Sequence, residues 1–203
     1  MRALGQVAMW MMLLGYPAVV YYGLTRWSVR GVAALLLVLL VPMMSWRWTR
    51  GSAQLGRAGA ALPLGVAALL IASLLVDDQR FVLAMPVLIN GWLFAAFAAT
   101  LSGTPMIERF ARLQSPELSN QQIRYCRRVT HVWTAFFLLN GVITGLLALF
   151  ASARWWAIYT GLIAYVLIGL LGTVEFLARR YLFREFGNGV HDRVLQKVLP
   201  ERR

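Results

Sequence analysis

The sequence predicts an all-α fold: a polytopic integral membrane helix bundle of about six transmembrane helices, with both termini cytoplasmic. Three observations carry that expectation. Of 203 residues, 60% are hydrophobic and 14% charged, against roughly 45–50% and about 25% in soluble domains, and the mean hydropathy is +0.64. Six apolar runs follow one another along the chain. The cations concentrate on alternate connections between those runs. A soluble globular enzyme, a disordered chain and a disulfide scaffold are excluded, the last because Cys126 is the only cysteine.

The runs span about residues 3–22, 31–46, 58–76, 81–101, 129–151 and 155–177. At about 1.5 Å per residue most of them reach the roughly 30 Å of a hydrocarbon core. The first follows a single arginine, Arg2, with no clean small-residue cleavage site, so it reads as a retained span rather than a removed signal peptide. The second is the shortest. Pro17, Pro42, Pro63 and Pro86 lie in the first four runs and read as kinks, because neighbouring helices can satisfy the carbonyls they free.

The net charge is +12, from 20 basic and 8 acidic residues, with Lys197 the only lysine. Sixteen cations fall on one set of connections: Arg2; Arg47, Arg50 and Arg57; Arg109, Arg112, Arg124, Arg127 and Arg128; and a tail that includes Arg179, Arg180, Arg193 and Lys197. Four fall on the other: Arg26, Arg30, Arg80 and Arg154. That asymmetry places both termini in the cytoplasm. Cations interleaved with apolar runs suit anionic headgroups, and no nucleic-acid partner is expected.

Residues 1–178 read as the transmembrane bundle, with a cytoplasmic interfacial helix at about 104–128, and 179–203 as a basic amphipathic cytoplasmic tail. Thr104 before Pro105 is an N-cap signal with a first-turn proline. Met106, Ile107, Phe110 and Leu113 then share one face, with Glu108, Arg109 and Arg112 off it. Ser119 and Gln122 form a capping-box pair that starts a helix near Asn120. The tail turns at Gly187-Asn188-Gly189 and continues as a stripe of Val190, Val194, Leu195 and Val198 beside Arg193 and Lys197.

Motifs for catalysis are missing: there is no phosphate-binding loop, no CxxC and no HExxH. His131 and His191 lie 60 residues apart. Neither a metal nor a cofactor is expected, and Asp77-Asp78 with Arg80 reads as a solvated, neutralised turn. The intramembrane polar inventory is Asn90, Asn140, Thr144 and Glu175. Glu175 has Arg179 one turn later, which pairs it. Asn140, Gly141, Thr144 and Gly145 share a face whose small residues permit close helix approach, and Gly161, Ala164, Ile168 and Gly172 of the sixth run offer one candidate partner for it. A polar groove for a lipid headgroup is the other reading of that face. Trp27, Trp46, Trp48, Trp155 and Trp156 fall where interfacial belts are expected.

The order of landmarks carries a resemblance. An acidic turn and Phe81 precede Asn90-Gly91-Trp92-Leu93-Phe94; Pro105, Ile107 and Arg109 follow; then come Trp133, Phe136, Phe137 and Gly141. Upstream, Tyr22 and Met44-Ser45-Trp46 keep matching separations. Over about residues 22–180 this ordered set resembles the bacterial inner-membrane septation protein A family, also called YciB or intracellular septation proteins. The chain departs from that pattern at Leu83 and Met85, where the family usually has lysines, and at Thr130 and Thr144, where it usually has asparagines, so it reads as a divergent relative.

The resemblance implies a multi-pass inner-membrane protein linked to envelope synthesis, elongation and septation, without an established catalytic activity. The expectation is a non-enzymatic scaffold or accessory factor whose partners are phospholipid and either other envelope-synthesis membrane proteins or further copies of itself. Asn90, Trp92, Asn140, Gly141, Thr144 and Gly145 then pack the bundle, and Trp133, Phe136 and Phe137 line its inner face. Arg109, Arg112, Arg124, Arg127, Arg128, Arg179, Arg180, Arg193 and Lys197 hold anionic lipid. The alternative is a lipid or polyprenyl carrier or small transporter subunit, tied to an acyl-lipid or aryl-polyene pathway, with Asn90, Asn140 and Glu175 along a polar path. A membrane-embedded transferase ranks third, for want of carboxylates and histidines.

Overall fold

The computed structural model describes residues 17–49 and 56–183, with side chains at 17–39, 62–113 and 115–182. The described residues form helices and turns and no strand. They comprise α1 over 17–26, α2 Val29–Thr49, α3 Gly56–Val76, α4 Gln79–Leu83, α5 Met85–Thr100, α6 Met106–Gln114, α7 Asn120–Phe150, α8 Ala153–Ile158 and α9 Ala164–Phe183, the last two joined through a π-helical turn, Tyr159–Ile163. Among the described residues, three helical stretches are long and apolar enough to cross a membrane: Gln79–Thr100, Asn120–Phe150 and Ala153–Leu182. Shorter apolar helices cover Val29–Leu39 and Leu62–Val76.

Run 31–46, the shortest by composition, lies within a 21-residue helix, because Arg47, Trp48 and Thr49 continue α2 past the apolar stretch. The prolines differ in effect. α3 runs through Pro63. Pro86, in contrast, accompanies a kink in a helical stretch that continues from Gln79 to Thr100. It lacks the N–H that would continue the ladder, and the chain pauses at Ala84 between α4 and α5.

Turns 27–28, 77–78 and 151–152 gather at one end of the bundle. Arg30 reaches Asp77 at 3.7 Å, and the Trp156 indole Nε1 donates to the Leu83 carbonyl at 3.0 Å. Asp78 caps α4 by accepting the Arg80 backbone N–H at 2.8 Å. Asp77 takes φ 58°, a left-handed conformation that aspartate tolerates better than most residues. Arg30 rather than Arg80 therefore supplies the ion pair at this turn, and Arg80 contributes its backbone.

The opposite end holds α6, the start of α7 and the end of α9. Arg127 donates to the Leu101 and Gly103 carbonyls at 2.6 and 3.1 Å, and the Tyr125 hydroxyl donates to the Glu175 carbonyl at 3.2 Å. α7 begins with the expected capping box: Ser119 Oγ accepts from the Gln122 N–H, and Gln122 Oε1 accepts from the Ser119 N–H at 2.7 Å. At 31 residues it is about 46 Å long, so it outreaches a hydrocarbon core.

Two apolar clusters flank the centre. The one toward the turns includes Val20, Val32, Leu70, Val82 and Trp156. The other joins α5, α6 and α7 through Phe97, Ile107, Ala111, Cys126 and Phe137, with Trp133 and Phe136 packed against it. Its rings meet edge to face, Phe97 with Phe137 at 5.2 Å and Trp133 with Phe136 at 5.9 Å.

Candidate functional site: a buried amide chain and a basic end

Between the clusters lies a polar chain that crosses three helices. Tyr159 Oη donates to Asn140 Oδ1 at 2.9 Å. Asn140 Nδ2 donates to Asn90 Oδ1 at 2.9 Å, and Asn90 Nδ2 donates to the Pro86 carbonyl of its own helix at 2.7 Å. Asn90 and Asn140 are buried. Each amide thus uses both its donor and its acceptor on protein, which matches the cost of leaving such groups unpaired away from water.

Local sequence explains the position of each member. α7 buries Cys126, Thr130, Thr134, Phe137, Asn140, Thr144 and Ala148, a repeat of three and four residues that lines one helix face. The threonines turn their hydroxyls back onto their own helix: Thr130 to Cys126, Thr134 to Thr130, and Thr144 to Asn140 and Gly141. Hydroxyls bonded within their own helix need no partner on α5, which suits a close approach of the two helices. A Cβ on Gly141 would stand 3.2 Å from Asn90 Cβ, and one on Gly145 would stand 3.7 Å from Val87 Cγ2. The partner of these glycines is therefore α5, not the sixth run. Gly161 instead meets Pro17 of α1 at 3.1 Å, and Gly172 has open space around it.

Trp156 is a second correction. It is 0% exposed and held by Leu83, whereas Trp27 and Trp155 stand exposed at the turn end, as a belt requires. Trp46 and Trp48 have side chains outside those described. Trp92 is half-buried on α5, and Trp133, Phe136 and Phe137 pack together in the α5–α6–α7 cluster.

Glu175 is not brought to the amides. Its carboxylate receives Arg179 Nε at 3.1 Å and Nη2 at 2.9 Å, the expected one-turn pair. Its backbone meets Tyr125, which lies about 22 Å along α7 from Asn140 at 1.5 Å per residue. The three residues do not line one path.

At the basic end α6 departs from expectation in two ways. Its N-cap is Pro105, not Thr104. Other hydroxyls receive the first N–H groups: Thr100 Oγ1 accepts from Met106 at 3.0 Å, and Thr130 Oγ1 accepts from Ile107 at 3.3 Å. Glu108 is buried rather than facing outward, and Arg112 grips it at 2.7 and 2.9 Å while also reaching the Pro116 carbonyl. Ile107 and Ala111 turn inward with it, which leaves Phe110 54% and Leu113 82% exposed.

Tyr159, Trp156, Thr130 and Glu108 are the residues that sequence reasoning missed. A tyrosine or tryptophan within an apolar run was the available signal, since their N–H and O–H groups find partners when buried. Arg193, Lys197, His191 and the tail stripe lie outside the described residues, as does 1–16 of the first run. Among the described residues no three His, Cys, Asp or Glu side chains gather as a metal site. An open apolar groove of about 360 Å³ runs between α5 and α7, lined by residues including Gly91, Phe94, Phe137, Gly141 and Leu149. Set against known proteins, the chain matches no family model, no curated protein and no solved structure.

Proposed function

We propose that this is a six-span protein of the bacterial inner membrane, with cytoplasmic termini, that acts as a non-enzymatic scaffold or accessory factor in cell-envelope biogenesis or septation. It works through helix–helix and lipid contacts, with other envelope-synthesis membrane proteins or further copies of itself as partners. The observation that supports this reading most is the closed chain Tyr159–Asn140–Asn90–Pro86. Intramembrane polar residues usually mark a pathway or glue helices together. Here they bond one another and the backbone, as glue does. The ordered landmarks of the septation protein A family add the envelope context.

Crosslinking in native membranes followed by affinity capture tests the scaffold role. Envelope-synthesis proteins captured in fixed ratio are the expected result; capture of abundant membrane proteins in proportion to their amount alone would sink it. Fusions of a periplasm-active reporter at the 50–55 and 151–152 connections test orientation, with activity expected only at the second.

A second reading, the lipid or polyprenyl carrier, is favoured by the α5–α7 groove, whose apolar walls and open side suit an acyl or isoprenoid chain. Native mass spectrometry of gently released protein separates the two. A stoichiometric bound lipid intermediate supports the carrier, whereas a bare chain or one bound to a second polypeptide supports the scaffold.

A further inference from the structure

The structure sorts the arginines of the basic end, and the sorting singles out two. Arg109 is engaged by the Thr104 carbonyl, Arg112 by Glu108 and Pro116, Arg127 by Leu101 and Gly103, and Arg179 by Glu175. Arg180 lies over the Phe176 ring at 5.3 Å. Arg124 and Arg128 are exposed and, among the described residues, have no hydrogen-bond, ion-pair or ring partner. They stand one turn apart on one face of α7, opposite the Cys126–Thr130 face that packs on α6 and α5. Below them that outer face carries Val132, Leu139, Val142, Leu146 and Leu149, all exposed. From Val132 to Phe150 this apolar stretch is about 27 Å long, close to the roughly 30 Å of a hydrocarbon core. Arg128 and Arg124 therefore sit about one and two turns beyond the apolar band, at the level of lipid headgroups.

We infer that Arg124 and Arg128 form a headgroup site for an anionic phospholipid of the leaflet on the α6 side, and that the lipid's acyl chains lie along the outer face of α7. The inference rests on the membrane reading above. A planar guanidinium matches the oxygens of a phosphodiester with two parallel N–H donors, and two guanidiniums one turn apart can share one phosphate. A zwitterionic headgroup returns part of that attraction, because its ammonium carries the same sign as the arginines. Phe110 and Leu113, exposed on α6, give the same end an apolar wedge for the interface.

The test is lipid retention by the full-length protein in native mass spectrometry, after equilibration with equimolar phosphatidylglycerol and phosphatidylethanolamine. The expected result is a phosphatidylglycerol preference of about tenfold or more, given about fivefold per surface arginine, falling as salt is raised. R124Q/R128Q abolishes the preference, R124K/R128K keeps the charge but lowers the preference because an ammonium has no paired donors, and R154Q at the turn end leaves it unchanged. Equal retention of both lipids by the unmodified protein, or an undiminished preference in R124Q/R128Q, overturns the site. Where R124Q/R128Q does not fold, the salt dependence of the unmodified protein decides. Alkaline carbonate extraction of native membranes separates the failures: release of the chain breaks the membrane reading itself, whereas retention without lipid preference breaks only the headgroup site.

Discussion

α7 and the α8–α9 helix are two stretches of about 30 residues, equally apolar, and they are used differently. Of the most apolar part of α7, 28% is buried in the fold, against 6% for α8–α9. Hydropathy selects both as membrane helices and cannot separate them, because lipid is as good a solvent for leucine as another helix is. The separation comes from the small and polar residues. α7 presents a stripe from Cys126 to Ala148 that includes three threonines, an asparagine and an alanine, with Gly141 and Gly145 beside it, and α5 closes on that stripe. α8–α9 has comparable residues only in its first turns, Trp156, Thr160 and Ala164. After the π turn it buries little.

Substitutions on the two helices break or sharpen this contrast. The largest effect is expected at Trp156, the anchor of the lightly buried helix. Trp156→Ala removes a fully buried ring and its bond to Leu83, and should cost about 3–5 kcal/mol of folding stability by denaturant titration in mixed micelles. A loss below about 1 kcal/mol would mean that the α8 anchor is dispensable. Next comes Gly141→Val, whose side chain must enter the 3.2 Å approach to Asn90 and should cost about 1–3 kcal/mol. Near-wild-type stability there would deny the close α5–α7 contact.

A smaller effect is expected from the amide chain. In a double-mutant cycle of Asn90→Leu and Asn140→Leu, the coupling should be about 0.6 kcal/mol and at most about 1.7, as for other membrane hydrogen bonds. Zero coupling would make the bond incidental. The smallest effect is expected at Gly172→Ala on α9. Open space surrounds Gly172, so alanine should be neutral or should stabilise by up to about 1 kcal/mol through helix propensity. Clear destabilisation would reveal a packing partner on α9.

Much of this contrast was unreadable before the fold was known, for a specific reason. Periodicity within one helix shows which residues share a face, and it put Asn140, Gly141, Thr144 and Gly145 together correctly. It carries no information on which other helix that face meets: the glycines meet α5 rather than the Gly161–Gly172 stripe, while Tyr159 of the sixth run reaches Asn140. Local signals fared better: the Ser119–Gln122 box and the Glu175–Arg179 pair involve residues within one turn, where helix geometry alone sets the distance. Trp156 misled because tryptophan at a helix start suits an interface and a buried site equally. The burial of Glu108 was hidden for a related reason, since its partner Arg112 reads from sequence as a solvent-facing cation.

On the proposed membrane reading, the two-residue turns have a bearing on how the chain enters a bilayer. α1 with α2, α3 with α4–α5, and α7 with α8–α9 are three antiparallel hairpins, closed by Trp27-Ser28, Asp77-Asp78 and Ala151-Ser152. A hairpin inserted as a unit drags only its tip through hydrocarbon. At these tips the polar freight is one or two turn residues and the one or two arginines beside them. The Asp78 cap and the Arg30–Asp77 pair partly mask that freight. In the proposed orientation the longer polar connections, with α6 among them, stay on the side from which synthesis proceeds and need not be moved at all.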